Sequence, residues 1–362
     1  MPSTSDPQTL IERAGTLGRI RLNRPKALNS LTLSMVRDIE KALDAFEADP
    51  GVAAVLLTGE GERGLCAGGD IRMIYDGGRA GSPEPVDFWR EEYRLNARLN
   101  RLEKPFVAFM DGIVMGGGVG VSVYAGHRVV TERTRFAMPE TGIGFFPDVG
   151  ASWFLTRRQD ELGTYAGLTG EPLAAADVIA FGLADSHVPS DRLPDLAEAL
   201  SRLPASAGGA DVSAAVDAFA EAPPPAGIAR QQPSIDRLFA FATIEEILDA
   251  LARDGSDFAE RTLAVLRTKS PLSLKVTLRL LRLGRQEASL EACLEREFSA
   301  TAAVLRSHDF YEGVRAAVVD KDRNPQWRPA RLDAVAAEDV AAFFAPSAEP
   351  LFAAATGKGD RR

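Results

Sequence analysis

The stretch "PFVAFMDGIVMGGGVG", residues 105–120, decides the fold class. It begins as a continuous apolar run, which is typical of a strand buried in a parallel sheet, and it ends in a glycine-rich loop that leads into a helical segment. An earlier stretch has the same form, because the apolar run "VAAVLLTGEG" (52–61) is followed by the loop "GERGLCAGGDI" and a helical region. This repetition predicts an α/β protein with mostly parallel strands and a ligand site at their carboxyl ends.

The segments after this core predict a change of architecture. "HRVVTERTRFAMPE" (127–140) has the form of two short strands around a polar turn. From about residue 190 the composition shifts to Ala, Leu and Arg in amphipathic helical patterns, and the breaker-rich "EAPPPAGIARQQP" (221–233) is the candidate linker. We therefore predict a core at 10–220 and a helical C-terminal region at 234–350 that packs on it.

Composition limits the class of protein and its partners. With 362 residues, 45% hydrophobic and 26% charged, the chain has the make-up of a globular protein with a sizeable core. A net charge of −9 argues against a nucleic-acid partner, which would require clustered Lys and Arg. Cys66 and Cys293 are too far apart in sequence for a disulfide framework, and no apolar run is long enough to span a membrane. These features, and an N-terminus without a targeting pattern, favour a cytoplasmic protein with no membrane partner.

Several common catalytic designs are missing from the sequence. There is no G-x-x-x-x-G-K-[ST] loop and no G-x-S-x-G elbow, and the three histidines lie far apart. Nothing has the spacing of a zinc site, so no metal is expected. Cys66 lies in a glycine loop without an identifiable base, and a packing role is the better interpretation. Glycine loops and carboxylates remain as candidates for chemistry.

The two glycine loops, "CAGGDI" (66–71) and "MGGGVG" (115–120), each follow an apolar strand and open a helix. Free backbone N–H groups at a helix start carry partial positive charge, and glycine lets a ligand approach them closely. Two such amides that converge from separate loops would hold a developing oxyanion. The alternative, that these glycines only allow tight turns and close packing, stays open.

Two acids stand out in "FAMPETGIGFFPDVGASWFL" (136–155), because Glu140 and Asp148 are its only charges. Burial among apolar groups raises the pKa of a carboxyl, and enzymes use such environments to obtain an acid or base near neutral pH. A structural reading is also open for each acid. Glu140 could cap a helix or pair with Arg135, and Asp148 could serve as a turn residue.

Several motifs together resemble the crotonase superfamily, also called the enoyl-CoA hydratase/isomerase superfamily. They are "LNRPKALNSLT", "CAGGDI", "KPFVAFMDGIVMGGGVG" and the "PET" and "FPD" of residues 136–155. The later segments "SPLSLKVTLR" and "HDFYEGVRAAVVDKDRNPQWRP" are similar to those of the branch that hydrolyses 3-hydroxyacyl-CoA thioesters. The resemblance covers roughly 10–335. It implies the superfamily's ββα spiral core with a helical C-terminal region, and an acyl-CoA substrate that brings the only coenzyme.

The resemblance also implies roles for individual residues. The oxyanion hole falls on the amides of Gly69 and Gly117, and the latter glycine also contacts the substrate. The catalytic, substrate-binding acids fall on Glu140 and Asp148. The resemblance also implies that Glu92 contacts the substrate. Arg24 and Lys26, in the basic turn "NRPKALN", are candidate contacts of the CoA phosphates. A solvated basic turn is the alternative for that last pair.

The implied reaction is hydrolysis of a 3-hydroxyacyl-CoA thioester, above all of 3-hydroxyisobutyryl-CoA to 3-hydroxyisobutyrate and CoA in valine catabolism. Asp148 would hold the 3-hydroxyl group, and Glu140 would act as general base or as nucleophile. Gly120 stands where enoyl-CoA hydratases carry a further catalytic Glu, which weighs against water addition. The alternatives are a hydratase or isomerase that uses Glu140 alone, and a non-catalytic CoA-binding subunit. The oligomeric state is left open.

Overall fold

A computed structural model describes residues 6–352 of the chain. The strands are β1 Thr9–Ala14, β2 Leu17–Leu22, β3 Ala54–Gly59, β4 Gly64–Cys66, β5 Phe106–Met110, β6 Ile113–Met115, β7 His127–Val130, β8 Arg135–Ala137 and β9 Ser186–His187. The helices are α1 Leu33–Ala48, α2 Ile71–Ala80, α3 Glu84–Leu99, α4 Gly117–Gly120, α5 Ala151–Phe154, α6 Leu162–Thr169, α7 Ala175–Ala180, α8 Leu193–Ser201, α9 Gly209–Asp217, α10 Gln232–Phe239, α11 Ile244–Asp254, α12 Asp257–Leu266, α13 Pro271–Gly284, α14 Leu290–Val304, α15 His308–Val314 and α16 Ala337–Ala341.

The strands form two sheets. The larger sheet has the order β1-β2-β3-β5-β7-β9, and the smaller has the order β4-β6-β8. Among the strand pairs within residues 6–352, only β1–β2 is antiparallel, so the predicted α/β class with mostly parallel strands is confirmed. The edge strand β1 was not predicted, because its middle residues are exposed and it lacks the apolar face that marks an inner strand.

A repeated unit generates this arrangement. One strand enters the large sheet, the next enters the small sheet, and a helical segment follows: β3, β4 and α2, then β5, β6 and α4, then β7, β8 and a short 3-10 turn at Glu140–Ile143. This is the ββα spiral that the resemblance implied. The glycine loops leave the carboxyl ends of β4 and β6, which are neighbours in the small sheet. The fold therefore brings the two loops together.

Apolar packing covers both faces of the large sheet. On one face, Leu56, Val107 and Val129 pack with residues of α8 and α9 such as Leu196 and Val212. On the other face lies the main core, which includes the buried side of α1 and extends into the C-terminal helices. Burial of this apolar surface is the main force that holds the layers together.

The C-terminal region is helical, as predicted, and includes the helices α11 to α14. Its side chains belong to the same hydrophobic core as those of the sheets. The division into 10–220 and 234–350 stays a prediction. The helix expected after the second glycine loop is only the four residues of α4. Among residues 6–352, no helix is both long enough and apolar enough to cross a membrane.

Candidate active site

Two main-chain amides face one another between the glycine loops. A methyl group added at Gly117 would lie 3.2 Å from the Gly69 nitrogen, and one added at Gly68 would lie 3.8 Å from the Gly117 nitrogen. Gly117 is the first residue of α4, so its N–H has no acceptor within that helix. Within residues 6–352, neither amide donates a hydrogen bond. We call the N–H groups of Gly69 and Gly117 the amide pair.

Backbone conformation explains why glycine precedes each of these amides. Gly68 has φ 113° and Gly116 has φ 49°, in the region that side chains rarely adopt. The loops also touch, since a methyl group at Gly116 would lie 3.4 Å from the Gly68 Cα. The predicted convergence of two loop amides is therefore present, and a side chain at either turn would strain the backbone.

Glu140 opens the 3-10 turn that follows β8, and only 6% of its surface is exposed. Its Oε1 lies 3.0 Å from the position of a methyl group added at Gly116. Its Oε2 is buried and has no hydrogen-bond partner among the residues that the structure describes. The predicted alternative of a pair with Arg135 is absent there, because Arg135 donates to the Thr134 carbonyl oxygen. A buried carboxylate oxygen without a donor is suited to a reacting partner.

Asp148 lies in the turn before α5 and is 5% exposed. The hydroxyl of Tyr93 donates to its Oδ2 at 2.7 Å. This hydrogen bond fixes one carboxylate oxygen and leaves the other for a ligand. Tyr93 was missed in the sequence, although it directly follows Glu92 on the same helix.

Glu92 is supplied by α3 and is 1% exposed. A methyl group at Gly117 would come within 2.4 Å of its Oε1, so the carboxyl packs directly against the amide pair. That oxygen, like Oε2 of Glu140, has no hydrogen-bond partner within the described part of the chain. We call Glu92, Glu140 and Asp148 the acid cluster.

The amide pair and the acid cluster line one cavity of about 120 Å³. Apolar side chains form the rest of its wall, including Ile74, Phe88 and Trp89. Trp89 stacks on Phe145 with ring centroids 5.7 Å apart, and Phe145 stacks on Phe146. The larger hollows elsewhere on the molecule contain neither the amide pair nor the acid cluster.

Burial and mutual repulsion shift the acidity of the cluster. Burial raises the pKa of Asp148 to about 7, against the Tyr93 hydrogen bond, which lowers it. The pKa of Glu140 is raised well above its usual value, first by burial and then by the charge of Asp148. Burial, followed by the charges of Asp148 and Glu140, does the same to Glu92. No Lys or Arg of the described chain forms an ion pair with these acids, although the charge of Lys269 lowers the pKa of Glu140 in part. The protonation of each acid therefore depends on the charge of the others.

Other predicted positions lie outside this cavity. Arg24 is engaged by Asp70 at 2.8 Å and also donates to the Ser30 carbonyl oxygen, whereas Lys26 is exposed. Their contact with CoA phosphates stays a prediction. Cys66 is fully buried, and burial raises the pKa of its thiol to about 12, which fits the predicted packing role. In residues 6–352 no group of three or more His, Cys, Asp or Glu could hold a metal ion.

Comparison with known proteins agrees with this geometry. The model of the enoyl-CoA hydratase/isomerase family matches residues 17–344, and the chain belongs to that family. The predicted superfamily is therefore confirmed, as is the hydrolase branch: the mitochondrial 3-hydroxyisobutyryl-CoA hydrolase of Danio rerio is 43% identical over 349 residues, covering 95% of this chain and 91% of that protein.

Two solved structures share the whole fold. A carnitinyl-CoA dehydratase from Mycobacterium thermoresistibile has a TM-score of 0.90 at 45% identity, covering 96% of this chain and 99% of that one. An enoyl-CoA hydratase from Rhodobacter sphaeroides has a TM-score of 0.85 at 41% identity, covering 94% and 98%. The sheets, the glycine loops and the C-terminal helices thus belong to one common architecture.

The predicted cytoplasmic location is wrong, because the curated hydrolases most similar to this chain are named as mitochondrial. The prediction used two cysteines without a disulfide framework, the lack of a membrane-length apolar run and an N-terminal sequence without a targeting pattern. Those features do not distinguish the cytoplasm from the interior of an organelle in which thiols stay reduced.

Proposed function

We propose that this protein hydrolyses 3-hydroxyacyl-CoA thioesters and that 3-hydroxyisobutyryl-CoA is its substrate. One observation carries the proposal: two unpartnered amides and three buried carboxyl groups line the same small cavity. The 43% identity to a 3-hydroxyisobutyryl-CoA hydrolase over 95% of the chain supports the choice of substrate. Valine catabolism is the pathway in which such a product would arise.

The amide pair polarises the thioester in this proposal. The carbonyl oxygen lies between the N–H groups of Gly69 and Gly117 and accepts a hydrogen bond from each. Negative charge on this oxygen grows as the carbon becomes tetrahedral, so the two bonds strengthen on the way to the transition state. The amides cost no reorganisation at that moment, because the glycine turns already hold them in place.

Glu140 acts on the carbonyl carbon by one of two routes. As general base it removes a proton from water, whose oxygen then bonds to the carbon as the C–S bond breaks. As nucleophile its carboxylate forms a mixed anhydride and expels the thiolate, and water then cleaves the anhydride. Both routes yield a free acid and CoA. A thiol pKa near ~8.5 makes the thiolate a fair leaving group at neutral pH, so neither route needs a metal or a coenzyme beyond the substrate's own CoA.

The other two acids select and orient the substrate. Asp148 has one oxygen held by Tyr93, and its second oxygen accepts the 3-hydroxyl of the acyl group. Glu92 lies against Gly117 and contacts the acyl portion next to the oxyanion site. Arg24 and Lys26, at the turn after β2, are the proposed contacts of the CoA phosphates.

A hydratase is the alternative function, since the similar solved structures are a dehydratase and a hydratase. Water addition in enoyl-CoA hydratases uses a second Glu at the position of Gly120. In this chain a methyl group at Gly120 would lie 2.7 Å from the Val149 Cβ and 3.0 Å from the Asn96 amide nitrogen. The space for a second acid is filled, which favours hydrolysis.

A paired assay tests the proposal. The protein is incubated separately with 3-hydroxyisobutyryl-CoA and with crotonyl-CoA, while free thiol and enoyl absorbance are followed. Thiol release from the first substrate is expected. Loss of enoyl absorbance without thiol would instead identify a hydratase, and silence with both substrates would identify a binding subunit.

A single turnover in H₂¹⁸O separates the two routes for Glu140. If Glu140 is the base, the first acid product carries ¹⁸O. If it is the nucleophile and water attacks its own carbonyl carbon, the first product carries an enzyme oxygen, and the label enters the Glu140 carboxyl group.

A further inference from the structure

The turn that carries Asp148 is strained. Val149 has φ 51°, a conformation that is unusual for a β-branched residue, and Gly150 follows with φ 85°. Such a conformation is energetically costly and persists only where the surroundings hold it. The contacts that hold this turn therefore determine where the Asp148 carboxylate points.

The strongest of these contacts comes from a distant part of the chain. Glu297, on α14, is fully buried. Its Oε2 accepts the Gly150 N–H at 2.7 Å. Its Oε1 accepts the Ser152 N–H at 3.0 Å and the Ser152 hydroxyl at 2.5 Å. Both oxygens of a single side chain thus accept hydrogen bonds from Gly150, in the turn, and from Ser152, two residues later.

The same helix supports Asp148 by a second path. Phe298, the next residue on α14, packs edge-on against the ring of Tyr93 with centroids 6.4 Å apart. Tyr93 in turn donates its hydroxyl to Asp148. Tyr124, which follows α4 in the chain, makes a further contact with the turn: its hydroxyl donates to the Val149 carbonyl oxygen at 2.7 Å. Tyr93 thus holds the Asp148 side chain, and Tyr124 holds the backbone of the next residue.

We infer that Glu297 is a positioning residue that fixes the Asp148 carboxylate for catalysis, an inference that rests on the proposed hydrolase function. It touches no part of the cavity itself. Its effect passes through the Gly150 and Ser152 amides to the strained turn. The C-terminal helical region thereby positions a residue of a site whose reacting groups all lie in the first half of the chain.

Glu297→Gln is the direct test, because it keeps the size of the side chain but replaces one acceptor by an NH₂ group. That group would face a backbone N–H, so one of the amide contacts is lost and the turn can relax. Since a displacement of about 1 Å can cost ~10²-fold in rate, we expect kcat to fall by up to about 10²-fold with KM nearly unchanged.

A double-mutant cycle distinguishes positioning from general destabilisation. In an Asp148→Asn background, Glu297→Gln should change kcat by less than about threefold, because its effect acts through Asp148. Glu161→Gln is the matched control: Glu161 is also a buried acid, but Arg282 and Arg285 hold it away from the cavity. It should lower stability while leaving kcat unchanged in both backgrounds.

Each outcome decides the inference. An equal loss of kcat in both backgrounds, or no loss in the wild-type background, overturns it. If Glu297→Gln does not fold, Tyr124→Phe removes the hydroxyl that holds Val149 and should give a smaller loss, about 3- to 10-fold, that also vanishes with Asp148→Asn. Wild-type protein that releases no thiol from 3-hydroxyisobutyryl-CoA would refute the proposed function instead.

Discussion

The amide pair comes from two loops that leave neighbouring strands of one small sheet, whereas the acid cluster is gathered from a helix, a 3-10 turn and a strained turn. The amide pair requires only the backbone conformations of the glycines and the pairing of the strands. The acid cluster requires each side chain to be held by other side chains, as Tyr93 holds Asp148.

This difference separates two kinds of catalytic contribution. Main-chain amides do not titrate in the physiological range, so the amide pair is insensitive to pH and responds mainly to shape. The acid cluster depends on burial and on the charges of its own members, so it responds to protonation and to small displacements. Substitutions in the two parts should therefore fail in different ways.

Glu140→Gln should reduce activity more than any other substitution, and it changes the acid cluster without changing the amide pair. It removes the base or nucleophile, and we expect thiol release to fall by about 10³–10⁴-fold while circular dichroism is unchanged. Glu91→Gln is the control, because Glu91 lies on α3 but pairs with Arg37 at the surface. Wild-type turnover in Glu140→Gln would contradict the assignment.

Gly117→Ala should damage the amide pair with the acids still present. The added methyl group would meet Glu92 Oε1 at 2.4 Å and the Gly69 nitrogen at 3.2 Å. We expect kcat to fall by about 10²–10³-fold, measured by steady-state thiol release. Gly126→Ala, where a methyl group has 4.0 Å of clearance, should be silent; equal activity of the two variants would argue against an oxyanion site at Gly117.

Asp148→Asn should have an intermediate effect that depends on the substrate. A hydrogen bond to a charged group contributes roughly 1.5–3 kcal/mol, so kcat/KM for 3-hydroxyisobutyryl-CoA should fall about 10- to 10²-fold. Isobutyryl-CoA, which lacks the hydroxyl, should lose much less. A uniform loss for both substrates would place the 3-hydroxyl elsewhere.

The pH profile sharpens the same comparison. Activity requires ionised Glu140, whose pKa is raised by burial and by Asp148, so kcat should rise as this carboxyl ionises, at a higher pH than for a solvated Glu. In Asp148→Asn the neighbouring charge is gone, the pKa of Glu140 falls, and the acid limb of log kcat should move to lower pH. An unmoved limb would mean that another group controls the rate.

The smallest expected effect is on stability. A carboxyl whose pKa is raised on folding contributes stability that is present below its unfolded pKa, near ~4, and lost as pH rises through the folded value. Removing one such charge by Glu140→Gln should therefore raise Tm at pH 8 and change it little at pH 4. A Tm difference that is the same at both pH values would show that burial of the charge is not its cause.

Local patterns predicted most of this architecture, and the limits are informative. Apolar runs that end in glycine located the parallel strands and both loops, and two isolated acids marked the site, because these signals lie within short segments. Glu297 could not be found in this way: it contacts Gly150 across 147 positions of sequence and sits in an ordinary helical pattern. The engagement of Arg24 by Asp70 was hidden for the same reason, since the two are 46 positions apart.

The cavity of about 120 Å³ has a consequence for the wider chemistry of acyl-CoA. Its volume suits a branched acyl group of a few carbons, and its aromatic floor of Trp89 and Phe145 is stacked rather than open. A long fatty acyl chain would not fit in a cavity of this volume. A cavity of this size would therefore let the proposed hydrolase discriminate among acyl-CoA thioesters by the length of the acyl chain.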